Sequence, residues 1–192
     1  WLPKEHKVHY GCKPLILRSA ATSMTPTAEI HPLLQGLNKS DYNVESLDYE
    51  IRVDSLCVDL LRHLYQELVQ KKGMQPEQAG ACCHGADYFL REFVIPERHK
   101  NLFDVEAKDL LQFAGHWYII RTPEPNLTEL KKILAGTAEL YNYLASQKMV
   151  SEKTADAVTT QSEALDYFQK RIDDFWAIEG EGYDSWRDAC PL

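Results

Sequence analysis

The chain is predicted to be all-α, an orthogonal helical bundle of five or six helices with an irregular N-terminal arm. Apolar residues recur at three- and four-residue intervals through most of residues 41–178. Proline and glycine fall between those periodic runs, and no stretch of useful length alternates as a half-buried strand would. With 192 residues, 44% of them hydrophobic and 26% charged, the composition is that of an ordinary globular domain.

Residues 1–40 read as the arm. Pro3, Pro14, Pro26 and Pro32 interrupt any long helix there. Thr25 and Pro26 can still open a short one, as N-cap and first helical residue, ending near Gly36. From Val44 to Lys72 the spacing predicts a helix whose stripe is Leu47, Ile51, Leu56, Leu60, Leu61, Leu64 and Leu68, with Gly73 as the stop. Pro76 opens the next, which runs through Ala79, Cys82, Cys83, Ala86, Phe89, Leu90 and Phe93 to Pro96. Its many small residues predict close packing.

Asp104 is then expected to cap a helix carrying Val105, Leu110, Leu111, Phe113, Trp117, Tyr118 and Ile120, closed by Pro123 and Pro125. Asn126 or Thr128 starts the following one, with Leu130, Ile133, Leu134, Leu140, Tyr141 and Leu144 on its apolar face. Ser151 caps a last helix reaching Trp176. Residues 179–192 form an acidic tail holding Tyr183 and Trp186, which fold back on the core or fill a partner's groove.

Formal net charge is −8 and uneven: residues 1–40 carry five Lys/Arg against two Asp/Glu, residues 126–192 seven against twelve. A net-negative chain lacks the overall attraction on which nonspecific nucleic-acid affinity depends, so phosphate binding would need a basic cluster on one face. No apolar run approaches the roughly 18 residues of a membrane span, and the N-terminal residues lack a secretory signal's apolar stretch. A cytoplasmic location without a membrane partner is therefore expected.

The five cysteines, Cys12, Cys57, Cys82, Cys83 and Cys190, form no CxxC pair and are odd in number, so they read as reduced thiols. No metal or cofactor is expected. The one chemical cluster is Cys82, Cys83, His84 and Asp87, where His84 and Asp87 share a helix face and could orient an imidazole. Neighbours on a helix point about 100° apart, however, and nothing supplies an oxyanion site. A small enzyme or metal-binding protein built on this cluster is the alternative to a non-catalytic binding module.

Residues 74–150 carry a family pattern. A stretch of the form l-x-d-v-t-x-x-d-l reads here Leu102-Phe103-Asp104-Val105-Glu106-Ala107-Lys108-Asp109-Leu110, and one of the form f-x-x-y-l-x-x-x-g-x-i reads Leu140 to Val150. In these the chain resembles the helical, SAM-like core-binding domain that precedes the catalytic domain of tyrosine recombinases and phage integrases. The resemblance implies a bundle that clasps double-stranded DNA. By position the DNA-binding candidates are Lys71, Lys72, Arg98, Lys100, Lys131, Lys132 and Lys148. The recombinases' catalytic arginines, histidine and nucleophilic tyrosine do not follow residue 150, so no catalytic residue is assigned; Tyr141, Tyr143, Tyr167 and Tyr183 read as packing or surface aromatics. The expected partner is a protein or double-stranded DNA.

Overall fold

The structure, a computed structural model, describes residues 37–190, and among these every regular element is helical. The arm of residues 1–40 lies almost wholly outside the described residues, as does its helix at Thr25. The described chain opens with a 3-10 turn, Lys39–Tyr42, whose Tyr42 ring packs edge-on against Phe103.

Helix α1 spans Leu47–Gln70, with Asp48 and Glu50 in the first turn, where the helix dipole favours negative charge. Gly73, at φ +65°, provides the left-handed residue that lets the Met74 N–H turn back to the Leu68 carbonyl. The buried side of α1 is Val53, Cys57, Leu60, Leu61, Leu64 and Leu68. The expected stripe is corrected at its N-terminal end, where Leu47 is 70% and Ile51 62% exposed. Both lie about a quarter turn or more from the line of Val53 and Cys57.

Helix α2, Pro76–Tyr88, continues into a π-helical turn, Phe89–Val94. The next helical run is not capped by Asp104, which ends a 3-10 turn, Leu102–Asp104, capped by Asn101. Helix α3, Ala107–Gln112, instead starts from a capping box in which Glu106 and Asp109 satisfy each other's backbone N–H groups. A second π-helical turn, Phe113–Trp117, joins it to α4, Tyr118–Arg121. The two π turns meet at the centre of the core, where the Phe113 ring lies 5.2 Å from Phe89 and 5.4 Å from Phe93.

Helix α5, Leu127–Ser146, is the central strut. Asn126 caps it by accepting from the Glu129 N–H at 2.9 Å. It crosses α2 closely because a Cβ on Gly85 would come within 2.7 Å of the Lys132 carbonyl oxygen, and one on Gly136 would collide with the Cys82 carbonyl. The small residues of α2 thus do what the sequence predicts for them.

The single helix expected after Ser151 is two, α6, Glu152–Ser162, and α7, Leu165–Trp176. No proline or glycine breaks it. The Ser162 hydroxyl donates back to the Thr159 carbonyl at 2.7 Å, which also accepts the Glu163 N–H at 3.2 Å. Ala164 then leaves helical geometry at ψ 45°, and the redirected α7 buries Phe168, Arg171 and Ile172. The tail folds back as α8, Tyr183–Asp188, with Trp186 buried. No helix among the described residues is long and apolar enough to cross a membrane.

Candidate binding surfaces

Five of the seven cationic candidates stand beside carboxylates. Lys71 pairs with Glu67 at 2.8 Å, and Lys72 reaches from the end of α1 to Glu139 of α5 at 2.6 Å. Lys132 pairs with Glu129 at 2.9 Å, one turn away. Arg98 and Lys100 converge on Asp109, whose carboxylate is fully buried: Lys100 Nζ stands 2.6 Å from it and Arg98 3.9 Å. That pair compensates a buried charge at the start of α3 and so has a structural task.

Lys131 and Lys148 have no ion partner among the described residues. Lys131 borders a groove of about 410 Å³ with Met74 and Cys82, where Glu139 and Glu163 add two carboxylates. Lys148 lies beyond the far end of α5, about 24 Å along the axis from Lys132. A phosphate backbone would meet fixed carboxylates beside most of these cations.

The Cys82, Cys83, His84, Asp87 cluster is divided by its own helix. Cys82 faces the groove against α5, whereas Cys83, His84 and Asp87 line a second groove, between α1 and α2. Asp87 is engaged: the Arg91 guanidinium donates to Asp87 at 3.0 Å and to Asp54 of α1 at 2.5 and 3.1 Å. These carboxylates raise the Arg91 pKa further, and the fork ties the two helices together at one end of the groove. Among the described residues no three His, Cys, Asp or Glu side chains are placed to hold a metal ion.

The thiols among the described residues are poorly activated. Burial pushes Cys83 up to about 11 and Cys57 up to about 12, and raises Cys82 and Cys190 as well. A thiol in that range is almost wholly protonated at neutral pH, and the thiolate is the nucleophile. Cys83 spends its proton on the Leu61 carbonyl at 3.6 Å. The tyrosines are packing groups where they are buried: Tyr141 is fully buried and its hydroxyl donates to the Leu102 carbonyl at 2.8 Å.

The α1/α2 groove, about 310 Å³, has a mainly apolar lining from Val58, Leu61 and Tyr65, with Cys83 and His84 opposite. Exposed apolar residues occur singly on most surfaces, as Ile120 and Trp176 do here. Tyr65 differs because it lines this groove, and exposed Leu47 and Ile51 lie nearer the start of α1. Leu47, Ile51, Val58, Leu61 and Tyr65 are separated by four, seven, three and four residues, which keeps them on one side of α1.

A second constellation escapes sequence reasoning. Arg171 is only 4% exposed. Its Nε donates to the Gly115 carbonyl at 3.0 Å and its Nη1 to the Trp186 carbonyl at 2.7 Å, while the Trp186 indole donates back to the Arg171 carbonyl at 3.0 Å. The guanidinium lies 4.0 Å from the centre of the Trp186 ring, whose indole also stacks on His116. Burial, then the charges of Arg171 and Arg187, hold His116 below the usual imidazole value. The signal was in the sequence: Arg171 interrupts the apolar series Phe168, Ile172, Phe175. The arrangement pins α8 to the core.

No family model, no curated protein and no solved structure matches this chain.

Proposed function

We propose that this chain is a non-catalytic helical binding module that works by protein association, through the groove between α1 and α2. The observation that carries the reading is that exposed Leu47 and Ile51 lie on the same side of α1 as Val58, Leu61 and exposed Tyr65, which line the groove. Apolar residues along one side of α1, divided by the Asp54–Arg91 ion pair and flanked by Asp48, Arg52 and Arg62, suit a protein interface better than a phosphate backbone. Five of the seven cationic candidates already face carboxylates, which speaks against the recombinase-like DNA clasp as the principal activity.

The two readings separate by salt. A labelled DNA duplex titrated with the chain should show no anisotropy change even at low salt. An environment-sensitive apolar dye should bind the chain and lose most of its signal with Tyr65→Asp. Duplex binding that falls steeply with salt and disappears when Lys71, Lys72, Lys131 and Lys132 are changed to Glu would overturn the proposal and restore the DNA clasp.

A further inference from the structure

The exposed pegs and the groove that could receive them lie on one helix, at opposite ends. Leu47 and Ile51 occupy the first two turns of α1, whereas Val58, Leu61 and Tyr65 line the groove along its second half. Leu47 and Tyr65 are about 27 Å apart along the axis, so α1 cannot fill its own groove. A second copy laid antiparallel serves both ends at once. About a two-fold axis near Ser55, Leu47 and Ile51 of each copy fall opposite Tyr65 and Leu61 of the other, which is an isologous contact.

The charges select that direction. Beside the apolar stripe runs the surface row Asp48, Arg52, Ser55, Asp59, Arg62. Read backwards, the row has every sign inverted. In an antiparallel pair Asp48 meets Arg62 and Arg52 meets Asp59, each twice by symmetry. A parallel pair puts the two rows on opposite flanks of the contact, where they cannot pair. The row is itself neutral, so the chain's net charge of −8 is not concentrated on this face. The present partners, Arg62 with Asp59 and Arg52 with Asp41, are solvent-exposed and exchange at little cost.

From this juxtaposition we infer that the chain forms an antiparallel homodimer through α1, each copy's Leu47 and Ile51 seated over the other's α1/α2 groove. The inference rests on the groove being an association surface and names its occupant.

Sedimentation equilibrium of the full chain from micromolar to millimolar concentration tests it. The expected result is a monomer–dimer equilibrium that Ile51→Asp abolishes. Arg52→Asp and Asp59→Arg should each weaken it roughly tenfold by replacing attraction with repulsion, and the double exchange should restore it. Circular dichroism of each variant controls for folding, and these exposed sites leave the core untouched. A chain that stays monomeric overturns the homodimer, and the dye experiment with Tyr65→Asp then shows whether the groove still stands as a surface for a different partner. A dimer indifferent to Ile51 and to both charge exchanges overturns the assignment to α1.

Discussion

Asp109 shows how a side chain can carry a family pattern for structural reasons alone. It sits in the l-x-d-v-t-x-x-d-l stretch, is fully buried, accepts from the Glu106 N–H at 2.8 Å and is neutralised by Lys100. Removing Lys100 leaves that carboxylate without its closest cation. Lys100→Ala should therefore cost about 2 kcal/mol in urea unfolding, whereas Lys131→Ala, at an exposed residue without an ion partner among the described residues, should stay within about 0.5 kcal/mol. Equal effects would refute the structural role given to Lys100. Lys148 is a parallel case. It falls where the second pattern has glycine, and at φ +59° it is the left-handed residue that closes α5, with the Met149 N–H returning to the Leu144 carbonyl at 2.8 Å. In this chain both stretches mark where a helix begins or ends.

His116 gives a residue-scale prediction in pH. Its imidazole is held below the usual value by burial and by Arg171 and Arg187, so the folded state prefers it neutral. The unfolded chain takes up the proton first as pH falls. The stability tied to this preference is fully present above the unfolded pKa near 6.5 and is lost as pH drops below it. Unfolding free energies measured from pH 8 to pH 5 should fall more steeply for the wild type than for His116→Gln. Identical slopes would show that the Trp186 and Arg171 environment does not perturb the ring.

At the scale of elements, the crossing of α2 and α5 is the most constrained contact. A methyl at Gly136 meets the Cys82 carbonyl, whereas one at Gly80, on the exposed side of α2, meets nothing within 4 Å. The same substitution should therefore have opposite signs. Gly136→Ala should destabilise by about 2 kcal/mol through overpacking, and Gly80→Ala should stabilise by about 1 kcal/mol through helix propensity. Differential scanning calorimetry of the two reads this directly, and a stabilising Gly136→Ala would contradict the close crossing.

Elements were legible wherever the decisive forces are local. The caps at Asn126 and Ser151, the stop at Gly73 and the apolar face of α5 follow from spacing and from side chains reaching two or three residues along the chain. The break between α6 and α7 was not legible, because neither proline nor glycine marks the place where Ala164 leaves helical geometry. The exposure of Leu47 and Ile51 was equally hidden, since periodicity marks a stripe without saying where the neighbouring helix stops covering it.

For the molecule as a whole, the same division explains the candidate site. Lys71 with Glu67 and Lys132 with Glu129 are readable as one-turn pairs. Lys72 with Glu139, Arg91 with Asp54 and Arg171 with Gly115 join residues 67, 37 and 56 positions apart, and only the fold brings them together. Of these, the first engages one of the DNA-binding candidates, Lys72, and Arg91 also ties down Asp87, the carboxylate beside His84. Among the described residues, Leu47, Ile51 and Tyr65 remain exposed on one side of α1. A chain of net charge −8 that offers such a side is better suited to meeting protein than nucleic acid.

The measurement that tests this most directly is sedimentation velocity of the full chain mixed with a dye-labelled DNA duplex at low salt. The account predicts that the protein boundary moves faster as chain concentration rises, from self-association through α1, while the duplex sediments alone. A monomeric protein boundary with the duplex carried inside it would contradict the account.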